Sequence, residues 1–190
     1  MSKDFSGQIS YPIGMRNNNP GNLRPSILPW MGQTGSVNNF CKFKDMSYGL
    51  RAMAVDLSNK ITKDGLNTIT KIITKYAPPS ENDTQSYINS VASTMGIGAN
   101  EALDFNSATL ARLMRAQLNV EQGTSYSRML SDADIMQGIE MIPQSITNRV
   151  ESFFVDNPAL ATAVGLGVLA VALYLVFSVF KIKKPDFKKI

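Results

Sequence analysis

Residues 159–180, ALATAVGLGVLAVALYLVFSVF, run for 22 positions without a single charge. As one helix they reach about 33 Å, enough to cross a bilayer core of roughly 30 Å. Asn157 and Pro158 ahead of the run have the chemistry of an N-cap and a first helical residue, and Lys181, Lys183 and Lys184 stop it at the far interface. The competing assignment is a buried helix of a soluble core. A chain of 190 residues has too little other material to sheathe such a span. The expected plan is therefore a domain tied to a membrane through its C-terminal side, with a transmembrane helix over 158–181.

The charge distribution supports that plan. All of the formal net charge of +4 lies in residues 181–190, which hold five Lys and one Asp; the first 180 residues balance 14 basic against 14 acidic side chains. A neutral domain is not expected to bind nucleic acid, because such binding concentrates Lys and Arg on one face. The tail over 182–190 reads as a juxtamembrane patch for anionic headgroups, which places it on the cytoplasmic side and the domain across the membrane. The first twenty residues contain no apolar core of a signal peptide, so delivery by an ordinary secretory route is not expected.

The chain has no histidine and one cysteine. That removes His-dependent metal sites and nucleophilic triads with a His base, so no metal and no cofactor is expected. Cys41, between Phe40 and Lys42, reads as a packed small hydrophobe rather than a nucleophile. Any chemistry must rest on carboxylates, Lys, Tyr or Ser.

Patterning divides the rest. Residues 1–13 are polar and read as a flexible N-terminus. Turn signals dominate from Gly14 to Asp45 (RNNNPGNLRP, then Pro29, Gly32 and Gly35), with short strands expected around 38–43. From Tyr48 onward Leu50, Met53, Ala54, Leu57 and Ile61 recur at helical spacing. Further helices are expected in NTITKIITKY, from a Ser80–Asp83 capping signal to about Met95, from a Ser107 cap to Gly123, and from Ser131 or Asp132 to Pro143. The fold class is mainly α with a small β hairpin over 14–142. An amphipathic linker helix over 143–157 leads to the span.

Glu121 is the carboxylate to single out. Advancing about 100° per residue from Leu110, it returns to about 20°, inside the arc of Leu113, Met114 and Leu118. Burial and the negative end of the helix dipole both oppose its ionisation, as a general acid requires. The alternative is a helix-end Glu turned to solvent or bonded to a Tyr such as Tyr126. Asn18, Asn19 and Asn22 either make a tight turn or offer amides to N-acetyl groups. Trp30 and Tyr76 offer faces for sugar stacking, or core. Glu81 is either a helix-start acid or a second carboxylate.

The stretch NVEQGTSYS resembles the lysozyme-like superfamily, including lytic transglycosylases, in which a helix delivers a Glu followed within two residues by Gly. Over residues 13–142 the chain also resembles a phage virion-protein family marked by RNNNPGNLR, Trp30 with Gly32, FCKFKDMSYGLRAM and YAPPSENDTQSYI. In glucosaminidase-like members the Glu helix comes first; here it comes last, which looks like a circular permutation. The resemblance implies a peptidoglycan-cleaving virion enzyme with Glu121 as its acid and Asn18, Asn19, Asn22, Trp30, Tyr76, Glu81 and Tyr126 around the substrate. It also implies the internal membrane of a phage particle as the location, reached by way of the host cytoplasmic membrane, with other membrane or capsid proteins as neighbours. A non-catalytic structural protein that binds glycan or capsid is the alternative.

If 158–181 spans a bilayer, the full chain will float with vesicles and resist an alkaline wash. The Leu169→Arg, Leu173→Arg double variant should lose that retention, since each central Arg costs about 2.5–3.5 kcal/mol of insertion.

Overall fold

The computed structural model describes residues 2–142. The linker, span and basic tail expected over 143–190 lie outside the described residues. Among those described, no helix is long and apolar enough to cross a membrane.

The domain is mainly helical with one two-stranded antiparallel sheet. Its elements are α1 (Ile13–Arg16), β1 (Gln33–Val37), β2 (Phe40–Phe43), α2 (Met46–Thr62), α3 (Ile69–Tyr76), α4 (Thr84–Met95), α5 (Ser107–Gln122), α6 (Thr124–Ser127) and α7 (Asp132–Glu140). The central element is α2. Asp45 starts it by accepting from the Ser47 amide at 3.0 Å. Leu50, Met53, Ala54, Leu57 and Ile61 are all buried, as their spacing predicts, but so are Met46, Ala52 and Val55, because α2 is covered on several sides. Gly138 of α7 lets that helix lie directly on it: a Cβ there would sit 2.6 Å from Leu50 Cβ and 2.9 Å from its carbonyl carbon.

The caps follow short-range chemistry. Thr68 starts α3 and Asp83 starts α4, each accepting from a backbone amide three residues on. Ser131 and Asp134 form a reciprocal capping box on α7. For α5 the cap is Asn106, whose side chain accepts from the Thr109 amide at 2.9 Å, and Ser107 is the first helical residue instead of the expected cap. The expected strand location also shifts. Asn38 and Asn39, at φ 51° and 62°, form the turn, and the strands flank it with Val37 opposite Phe40 and Ser36 opposite Cys41. Two adjacent left-handed residues suit the twist of a tight hairpin, and Asn tolerates that conformation. The one-turn helices α1 and α6 carry no apolar periodicity and were not anticipated.

The RNNNPGN segment is a turn, but a buried one. The Asn17 and Leu23 carbonyls accept from the Phe43 and Cys41 amides of β2 at 2.9 and 2.8 Å. Residues 17–23 thus flank the hairpin without being a strand. Beneath them Leu23, Cys41, Phe43 and Ala52 form a buried cluster against Trp30, Tyr48 and Tyr76. Cys41 is fully buried and its thiol is pushed up by that burial, consistent with packing.

Gly138→Ala should cost about 1–3 kcal/mol by forcing α7 off α2. The exposed Ser93→Ala should stay within about 0.5 kcal/mol. Urea titrations of the two variants against the parent chain give the comparison.

Candidate functional site

The last turn of α5, the loop at 21–30, the C-terminal half of α2 and the connection from α3 to α4 surround an open groove of ≈ 590 Å³. Glu121 lies in its lining with Asn22, Trp30, Tyr76 and Glu81. Four of the seven residues that the sequence suggested as substrate contacts therefore share one groove with the candidate acid, although they are up to 99 positions apart along the chain.

Glu121 is half-buried, and both carboxylate oxygens are engaged. The Asn22 amide donates to Oε2 at 2.7 Å, and the Tyr87 hydroxyl of α4 donates to Oε1 at 2.7 Å. Burial raises its pKa above the ordinary carboxylate value, and the two hydrogen bonds hold back part of that rise. The Tyr partner is thus Tyr87, not Tyr126. Tyr87 is buried, and burial first, then Tyr76, Glu121 and the bond it donates push its hydroxyl far up. Tyr76 is also driven well up, by burial, then Glu121 and Asp56. Both phenols remain donors: Tyr76 donates a hydrogen bond to the Gly21 carbonyl, and the rings meet edge to face at 6.4 Å.

The other charges of the groove are mostly closed in pairs. Asp56 and Lys60, one helical turn apart on α2, meet at 2.5 Å, and the ammonium stands 5.4 Å from the Tyr76 ring centroid. Arg24 and Glu81 meet at 2.5 Å. Glu81 is therefore ion-paired rather than a free second carboxylate, and its half-exposed position makes that pair weakly stabilising. Among the described residues no group of three His, Cys, Asp or Glu side chains converges as a metal site would require.

Three of the suggested contacts lie elsewhere. Asn18 and Asn19 are fully buried. Asn18, at φ 51°, donates to Asp4 at 2.8 Å and accepts from the Phe5 amide at 3.0 Å. Asn19 donates to the Leu23 and Cys41 carbonyls at 2.9 and 3.0 Å and accepts from the Leu23 amide at 2.9 Å. Neither has a free face for a sugar; they fasten the loop that presents Asn22. Tyr126, on α6, packs edge-on against Tyr11 at 5.1 Å and is not in the groove lining. Tyr87, Asp56, Lys60 and Arg24 were not singled out from the sequence. Tyr87 shares a helix face with Ile88, Val91 and Met95, so its pattern reads as core, and only its hydroxyl betrays the contact.

Fold and site together define a small, mainly helical domain with a single helix-end carboxyl held in a groove by an amide and a phenol. No protein-family model matches the chain. It is 37% identical over 117 residues to Protein P5 of Pseudoalteromonas phage PM2, an alignment covering 59% of this chain and 72% of that protein. The chain belongs to the family of that phage protein.

The raised pKa of Glu121 has a sign in stability. The folded state holds its proton to higher pH than the unfolded chain, so this group favours folding below the ordinary carboxylate pKa and loses that effect as pH rises through the raised folded value. Glu121→Gln should therefore gain stability relative to the parent as pH rises from the ordinary carboxylate pKa through the raised folded value, then track it in parallel. Paired urea titrations across pH measure this. Asp4, Asp45 and Asp134, whose pKa values are lowered, are common to both chains and cancel.

Proposed function

We propose that this protein cleaves the glycan strands of peptidoglycan, as a lytic transglycosylase or muramidase carried on the internal membrane of a phage particle, and opens the cell wall locally during genome entry. The observation that carries the reading is Glu121. It is a half-buried carboxyl with raised pKa at the end of an α-helix, in the lining of an open groove, with no other unpaired carboxylate in that lining. Kinship to a protein of phage PM2 supports the viral setting. The uncharged run at 159–180 supports the membrane anchor.

In the proposed mechanism protonated Glu121 donates to the oxygen between N-acetylmuramic acid and N-acetylglucosamine, and the C1–O bond breaks. Glu121, now a carboxylate, takes the proton of the muramic C6 hydroxyl as that oxygen closes on C1, giving a 1,6-anhydro end. Taking the proton from a water instead gives a reducing end. Asn22 and Tyr87, bonded to the two oxygens, stabilise the carboxylate between these steps. Trp30 and Tyr76 contribute apolar faces beside the acid. A one-carboxyl mechanism suits a groove in which Asp56 and Glu81 are already ion-paired.

The second reading is a glycan- or capsid-binding structural protein. It is favoured by the same pair of bonds, since a carboxyl with both oxygens engaged also serves as a structural tie.

The test uses full-length protein in detergent on purified sacculi, with released fragments analysed by mass. Anhydro-muropeptides are expected from the parent chain, falling by about 10²–10⁴-fold in Glu121→Gln. Activity should decline as pH rises through the raised pKa of Glu121, because the protonated form is the one that acts. A folded parent chain that releases nothing yet sediments with sacculi makes the protein a binding module.

A further inference from the structure

The loop between Arg24 and β1 exposes large apolar side chains without a partner among the described residues. Ile27 is 102% exposed, Leu28 78% and Met31 56%. Three of the six exposed large hydrophobic residues of the described chain thus fall within five consecutive positions. The display is held in place from below. Pro25 and Pro29 restrict the backbone, the Ser26 hydroxyl bonds the Leu28 carbonyl, and Trp30 anchors the loop on the cluster of Leu23, Cys41, Phe43 and Ala52. A fixed apolar tip facing water is costly unless something covers it.

The charge around the tip indicates what does. No acidic residue occurs between Asp4 and Asp45, while Arg16, Arg24, Lys42 and Lys44 do. The exposed Lys44 stands next to the tip, its amide bonded to the Gly32 carbonyl at 2.9 Å. Glu81 is paired with Arg24, while Asp4 and Asp45 lie outside the loop and hydrogen-bond to Asn18 and Ser6 and to Ser2 and Ser47. Aliphatic side chains at a tip flanked by lysine, with no acid in the loop itself, suit the boundary between acyl chains and anionic headgroups. We infer that the Ile27–Met31 loop is a membrane-contact element that dips into the surface of an anionic bilayer and docks the domain there. Because Ser26 and Trp30 also line the groove, docking brings the rim of the groove to headgroup level.

Trp30 is the only tryptophan of the chain, so its emission reports on this loop alone. The full chain is mixed with phosphatidylcholine–phosphatidylglycerol vesicles whose acyl chains are brominated, and with phosphatidylcholine vesicles as the uncharged control. Trp30 emission is expected to shift to the blue and to be quenched by bromine in the anionic vesicles, less so without phosphatidylglycerol or in high salt. The Ile27→Ser, Leu28→Ser double variant should reduce the docked population on the order of tenfold, since it removes two exposed aliphatic anchors. Lys44→Glu should weaken docking further in anionic vesicles than in uncharged ones. Flotation measured on the same samples separates attachment through residues 158–181 from contact through the loop. Floated protein whose Trp30 is not quenched, or is quenched equally in the double variant, overturns the inference. So does a Trp30 shift that follows protein concentration without vesicles, which would make the loop a contact between two copies.

Discussion

Residues 17–23 carry backbone polar groups into the interior outside any helix or strand of their own, and an interior loop is stable only when each such group finds a partner. Asn19 supplies three of these bonds: its one side chain answers the Leu23 amide and the Leu23 and Cys41 carbonyls, tying the end of the turn to β2. Two more bonds from β2 reach the Asn17 and Leu23 carbonyls. The groove depends on this fastening. Gly21 meets the Tyr76 hydroxyl, Asn22 meets Glu121, and Arg24 meets Glu81, all within four residues of a loop that would otherwise be unconstrained.

The electrostatics of the groove follow from that geometry. A carboxylate at a helix C-terminus faces the negative end of the dipole, and partial burial removes water that would otherwise stabilise it. For Glu121 the loss of water outweighs two short hydrogen bonds, and the net shift is upward. Burial and the nearby carboxylates also keep Tyr76 and Tyr87 protonated, so they serve as donors rather than bases. With Asp56 and Glu81 each beside a cation, the lining offers one unpaired acid.

Legibility in the sequence tracked the range of the interaction. The periodicity of α2 and the cap at Ser131 arise within a few residues and stand where the pattern placed them, whereas the Ser80–Asp83 signal resolves to Asp83 alone as the cap of α4. The angular position of Glu121 among Leu110, Leu113, Met114 and Leu118 is likewise a property of one helix, and its half-burial follows. Asn18 and Asn19 were harder, because a run of three Asn reads the same whether the amides face a ligand or the backbone. Their partners at Asp4, Phe43 and Cys41 come from elsewhere in the chain. Tyr126 lies close to Glu121 in sequence, yet Gly123, at φ 76°, turns the chain away into α6, and Tyr87 from α4 takes the place beside the carboxyl.

The amino-acid order alone was enough to determine a mainly helical domain with a hairpin, an uncharged run of membrane-spanning length, a neutral domain with a basic tail and an acid on an apolar helix face. Each of these depends on composition or on spacing within one segment. Tertiary structure decided which asparagine meets that acid, which tyrosine supports it, which carboxylates are neutralised and which apolar side chains remain uncovered. Those outcomes depend on surfaces meeting across as many as 99 positions of chain, where packing and desolvation, not local pattern, select the partner.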